Sequence, residues 1–137
     1  MSKVITRTVQ AQLITRPPAT RSLTPALRYD TADPLAVSLV FPAEISLDGE
    51  EVAWAFSRDL LAAGLRGPAG EGDVHVCPCG QRRTVVELHA GEGVAVLEFP
   101  SAELWAFLRA TYDLVPAGAE GALLDLEEGF AALLRGV

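Results

Sequence analysis

Residues 35–56 read LAVSLVFPAEISLDGEEVAWAF. Leu35, Val37, Leu39, Phe41, Ala43, Ile45 and Leu47 recur at every second position, the period of a strand that buries one face. Asp48-Gly49 is the dipeptide favoured in tight two-residue hairpin turns. A turn there predicts pairing of Ile45 with Val52, Ala43 with Trp54 and Phe41 with Phe56, and a slip by one residue would expose all of them. Pro42 lacks an amide hydrogen, so it marks an edge or a bulge in that ladder.

Downstream, Ser57 is placed to cap a short helix, SRDLLAAGL, with Asp59 in the first turn near the positive end of its dipole. Gly64 is expected to stop that helix in a left-handed C-terminal conformation. RGPAGEGD, residues 66–73, is a connector: it lacks the lysine and the spacing of a phosphate-binding loop. Three strand-like runs follow, DVHVCPC, RTVVELHA and GVAVLEF, with turns expected at Gly80-Gln81 and Gly91-Glu92. Val86, Leu88, Leu97 and Phe99 fall on one face of this meander and Val85, Val94 and Val96 on the other. Apolar residues on both faces imply that both are covered.

After Pro100-Ser101 the period lengthens. SAELWAFLRATYDLV sets Leu104, Leu108, Thr111 and Val115 on a helical stripe widened by Trp105, Phe107 and Tyr112, and Asp113 and Pro116 mark its end. A second C-terminal helix is predicted in DLEEGFAALLRGV, where Asp125 and Glu128 have capping-box spacing. The expected fold is α+β over a single domain, residues 1–137: an antiparallel meander or bent sheet, one short helix and two C-terminal helices.

The net charge of −7 is unevenly spread. The first 29 residues carry Lys3, Arg7, Arg16, Arg21 and Arg28 and no acid, whereas the remainder sets 6 arginines against 18 acids, a balance of −12. Such a body repels phosphate backbones, so nucleic-acid binding is not expected, and the N-terminal arginines read as the solvated face of a strand. No apolar run is long enough to span a membrane, and MSKVITRTVQ has no apolar leader core. Only two cysteines, two positions apart, argue against a disulfide framework and for a cytoplasmic protein.

His75, Cys77 and Cys79 alternate on one strand face, but a structural zinc site needs a second ligand pair. With the turn at Gly80-Gln81, His89 falls on the opposite face, so no metal is expected. No nucleophile elbow or catalytic constellation appears, and neither an enzyme nor a cofactor is expected. LRYDTADP, residues 27–34, has the residue types of a site, yet reads as architecture. Asp33 precedes a proline, Asp30 is placed to accept from an amide two residues on, and Arg28 and Asp30 share a strand face.

LRYDTADPLAV, WAFSRDLLAAGL at 54–65 and GEGDVHV at 70–76, in this order and spacing, resemble the SsgA-like family of sporulation-associated cell division proteins of actinomycetes. Arg28, Tyr29, Asp30, Asp33, Pro34, Trp54, Arg58 and Asp59 match the family pattern, while Cys77-Pro78-Cys79 stands where that pattern has an aromatic-proline pair. The resemblance implies a non-enzymatic adaptor, acting at the division septum, that helps to place the tubulin-like GTPase FtsZ. It also implies a whirly-like β-rich shape, a homo-oligomer with a trimer favoured, and a division protein or family paralogue as partner. The alternative it carries is a whirly-like single-stranded nucleic-acid binder using the N-terminal strand. That segment has no Phe, Tyr or Trp before Tyr29 to stack on bases, which favours the adaptor.

Overall fold

Proline and the alternation of side chains decide where the chain bends. The computed structural model describes residues 2–15, 19–45, 49–91 and 93–121. Its first half begins with β1 (Val4–Thr8), β2 (Ala11–Ile14), β3 (Thr20–Leu23) and β4 (Ala26–Asp30). Thr8 pairs with Ala26 and Ala11 with Leu23, so the four strands are one long hairpin in continuous register. It breaks only at Val9 and Pro25, where Pro25 has no amide to give the ladder. There the Val9 amide donates to the Pro25 carbonyl at 2.9 Å, and both residues are buried. The hairpin bends at this corner and supplies strands to two sheets.

One sheet runs β1-β4-β5-β6, adding β5 (Ala36–Phe41) and β6 (Val52–Ser57). The other runs β3-β2-β10-β9-β8-β7, with β7 (Ala69–Glu71), β8 (Val74–Cys79), β9 (Arg83–Ala90) and β10 (Gly93–Pro100). Every pairing is antiparallel. Two helices, α1 (Arg58–Gly64) and α2 (Ser101–Leu114), pack on the sheets and on each other. The α+β class and the antiparallel meander are as expected. The second C-terminal helix, predicted over 125–137, lies outside the described residues.

The hairpin of residues 35–56 forms in a different register. Phe41 pairs with Val52, Leu39 with Trp54 and Val37 with Phe56, a shift of four residues along β5. Pro42 ends β5, and a single 3₁₀ turn at Ala43–Ile45 occupies the connection that was expected to be strand. An even shift keeps every side chain on its face, so Val37 and Leu39 are still core residues. Leu35 is not: it precedes the strand and is 51% exposed.

α1 starts as expected, with the Ser57 hydroxyl accepting from the Leu60 amide at 3.1 Å. Gly64 has a different reason from the one expected. It is not among the glycines with positive φ, and Leu65 closes the helix in right-handed geometry. A Cβ on Gly64 would lie 2.3 Å from Val76. Glycine is there because α1 rests directly on β8.

In the meander Val86, Leu88, Leu97 and Phe99 are buried, as the alternation requires. The opposite face is only partly covered by the described residues: Val85 and Val96 are half-buried and Val94 is 53% exposed. The β8–β9 connection holds Gly80, Gln81 and Arg82, since Cys79 pairs with Arg83. That one additional residue reverses the parity. His89 therefore sits on the same face as His75, with ring centroids 4.9 Å apart, and not on the opposite face as expected.

Candidate functional site

The residues that carry the resemblance divide into a buried group and a surface group. Arg58, the first residue of α1, is 0% exposed. Capping by Ser57 sets its direction, and α2 supplies its partners. Its Nη1 donates to the carbonyls of Val115 at 2.7 Å and Thr111 at 3.3 Å. Its Nη2 donates to the Pro116 carbonyl at 3.5 Å and to the Glu120 carboxylate, which is itself buried. The guanidinium also lies over Tyr112 at 4.7 Å and Tyr29 at 5.2 Å. One cation thus caps the Val115 carbonyl just past α2, adds to the bonds that the Thr111 and Pro116 carbonyls accept from the Val115 and Ala119 amides, and ties that end of the helix to the four-stranded sheet. Only Nε has no partner among the described residues. The hydrogen bond from Arg58 holds the Glu120 carboxyl below its ordinary range against the opposing effect of burial, whereas burial pushes the Tyr29 phenol up.

Tyr29 is buried in the same cluster, and its hydroxyl donates to the Pro34 carbonyl at 3.0 Å. Asp30 accepts from the Ala32 amide at 2.9 Å, the two-residue contact expected of it. The Asp33 amide donates to the Asp30 carbonyl at 2.9 Å, and its carbonyl accepts from Ala36 at 3.3 Å. Residues 27–30 are therefore the end of β4, and residues 30–36 a hydrogen-bonded turn that leads into β5. Arg28 is half-buried and reaches Glu51 at 3.6 Å, while Asp59 is exposed on the first turn of α1.

Asp33 and Asp59 are simply exposed to solvent, whereas Trp54 is the signature residue that lines a groove. Half-buried on β6, an edge strand, it lies between two adjoining grooves. One, of about 340 Å³, is lined by Phe41, Trp54, Leu88, Ala90, Val94 and Ala95. The other, of about 370 Å³, is lined by Trp54, Phe56, Ser57, Leu60, Asp73 and Val74. Together they form a crease between the two sheets, apolar on the Phe41 side and mixed on the side of Ser57 and Asp73. Of its polar lining, the Ser57 hydroxyl is already engaged in capping α1, and no set of three metal-ligating residues occurs among the described residues. No helix among the described residues is long and apolar enough to cross a membrane.

The N-terminal arginines divide too. Arg7 donates from Nε and Nη2 to one Glu103 oxygen at 2.9 and 2.6 Å, binding β1 to α2, whereas Lys3 and Arg21 are exposed. A further basic cluster escaped the sequence reading. Arg66, Arg82 and Arg83 surround Trp105, with Arg109 one helical turn further along α2. The Arg82-Arg83 pair and the Trp105, Arg109 spacing are visible in the sequence. Only the fold brings them together.

Residues 23–120 match the family described as Streptomyces sporulation and cell division protein, SsgA. The chain is 45% identical over 114 residues to the sporulation-specific cell division protein SsgB of Salinispora tropica, covering 81% of this chain and 79% of that protein. The solved structure of an SsgA-like sporulation-specific cell division protein from Thermobifida fusca superposes with a TM-score of 0.84 at 35% identity, covering 96% of each chain. A solved SsgB chain, studied for mutations that correlate to longitudinal cell division during sporulation of Streptomyces coelicolor, gives a TM-score of 0.80 at 36% identity. It is covered to 97%, against 90% of this chain.

Proposed function

The chain belongs to the SsgA family, and we propose that it is a non-enzymatic adaptor of sporulation-associated cell division that helps to recruit or position FtsZ at the septum. The observation that carries this reading is the breadth of the likeness: the match extends through both sheets and both helices to Glu120, the partner of Arg58. The family pattern therefore falls on residues that build the fold, on the exposed Asp33 and Asp59, and on Trp54, which lines the crease. An adaptor needs a rigid body with exposed recognition surfaces, and the described residues offer that without a catalytic constellation.

Cosedimentation with FtsZ polymers tests the reading. The wild-type protein is expected in the pellet above background, with less retained at high salt, as suits a polar and reversible interface. Absence from the pellet at every salt concentration overturns it. The nucleic-acid alternative is weakened by the surface ion pair of Arg7 with Glu103 and by the contact of Arg28 with Glu51. Retention of single-stranded oligonucleotides is expected to be weak.

Self-association belongs to the same proposal. Val52 and Val94 are 38% and 53% exposed beside the crease at Trp54, and β6 is an edge strand among the described residues. A symmetric oligomer would cover these groups. Sedimentation equilibrium is expected to show an assembly, with the trimer favoured by the resemblance, and a monomer at about tens of micromolar would count against it.

A further inference from the structure

The charge of this protein is sorted as well as unequal. Of the six arginines after residue 29, Arg58 is buried and Arg135 lies outside the described residues. The other four, Arg66, Arg82, Arg83 and Arg109, are all exposed and all stand about Trp105. They come from α1's exit, the β8–β9 turn and α2, so no local sequence rule placed them side by side. We propose that this surface is a docking site for an acidic peptide segment, carrying an apolar side chain, of a protein partner.

The site is built and rigid. Gln81, Arg82, Arg83, Pro100, Ser101 and Trp105 line a groove of about 590 Å³. Pro100 pairs with Arg83, the Ser101 amide donates to the Arg82 carbonyl at 2.8 Å, and the Thr84 and Ser101 hydroxyls lie 2.7 Å apart. The turn and the start of α2 are thereby fixed to each other. Trp105 is half-buried, with the Arg66 guanidinium over its ring at 5.6 Å. It therefore offers an apolar wall beside free donors.

The nearby carboxylates neutralise the patch only in part. Glu98 pairs with Arg83 at 3.6 Å, and Glu103 is bonded to Arg7. Arg66, Arg82 and Arg109 make no ion pair among the described residues. Arginine forks suit carboxylates in bidentate geometry. Four cations on a body of net charge −7 suit a short acidic segment better than a continuous phosphate backbone, whose further charges would meet acidic surface. This deepens the adaptor reading, on which it rests only for which division protein supplies the segment.

The test is fluorescence anisotropy of a labelled short peptide of Glu and Asp with one central Phe, titrated with the full chain. Saturable binding is expected, weakening about tenfold or more as salt rises from about 50 to 500 mM. R82E/R83E should weaken it by about tenfold or more, the scale of reversing two contact charges. R21E, an exposed reversal on β3, should leave it unchanged, and replacing the central Phe by Gly should weaken it several-fold. No saturable binding, or equal binding by R82E/R83E, overturns the proposal. So does tighter binding of a single-stranded oligonucleotide or of anionic vesicles through the same arginines. Peptide binding without cosedimentation on FtsZ polymers keeps this site and removes the FtsZ reading. Cosedimentation that is the same for R82E/R83E and wild type, without peptide binding, does the reverse.

Discussion

Arg58 and Arg82 carry the same side chain, and the molecule uses them in opposite ways. Arg58 is sealed between α1, α2 and the four-stranded sheet, with three carbonyls, one carboxylate and two aromatic rings about its guanidinium. Arg82 is exposed on a three-residue turn at the mouth of a groove. The first resembles a family signature because the fold depends on it. The second is not among the residues that carry the resemblance, and it stands where a partner can reach it. A residue that matches a family pattern is therefore not by that fact a contact residue. In this chain Arg58, Tyr29, Asp30 and Pro34 are chiefly structural.

The comparison breaks most visibly at Arg58. Arg58→Ala leaves Glu120 and the carbonyls at the end of α2 buried without their cation, and is expected to cost about 3–5 kcal/mol in chemical denaturation. Arg58→Lys should recover only part of this, since a point charge cannot reach carbonyls and carboxylate together. If Arg58→Ala unfolds at wild-type denaturant concentrations, the buried cluster is not what holds α2.

Gly64→Ala follows, at about 1–3 kcal/mol, because the added methyl would meet Val76 where α1 lies on β8. A neutral outcome would show that the helix can lift from the sheet without loss.

Acid sharpens the same contrast. The Glu120 carboxyl is held below its ordinary value of 4.5 by its hydrogen bond with Arg58. The stabilisation is therefore complete above that value and is lost as pH falls through the lower pKa of the folded state. Glu120→Gln should lower stability near neutrality by about 1–2 kcal/mol. It should also flatten the acid side of the stability–pH curve, and parallel curves for the two proteins would contradict the assignment.

Asp30→Ala removes one hydrogen bond from the turn and should cost about 0.5–1.5 kcal/mol, while leaving peptide binding at Trp105 intact. R82E/R83E stands at the far end. Its stability should lie within about 0.5 kcal/mol of wild type, with the loss confined to binding. A large destabilisation would make that pair structural after all and erase the distinction between the two arginine sites.

Much of the local structure was legible because it depends on near neighbours. The Ser57 cap, the Asp30 turn, the alternation that buries Val86, Leu88, Leu97 and Phe99, and the helix from Ser101 each follow from a few adjacent residues. The misreadings came from turns. Counting Asp48-Gly49 as the hairpin loop extended β5 past Pro42. Counting two residues instead of three after Cys79 put His89 on the wrong face. A change of one residue in a loop reverses the parity of everything beyond it, so sheet faces inherit the least certain element of the chain.

By itself the sequence determined the α+β class, the positions of α1 and α2, the family pattern and the charge imbalance, since these rest on composition, period and order along the chain. Tertiary structure alone decided that strands β1 to β4 form one hairpin shared by two sheets, that Arg58 is buried, and that Arg66, Arg82 and Arg83 come together at Trp105. The physical reason is the same in each case. Charged side chains look alike in sequence whether they face water or a set of carbonyls, and only packing between distant segments settles which they do.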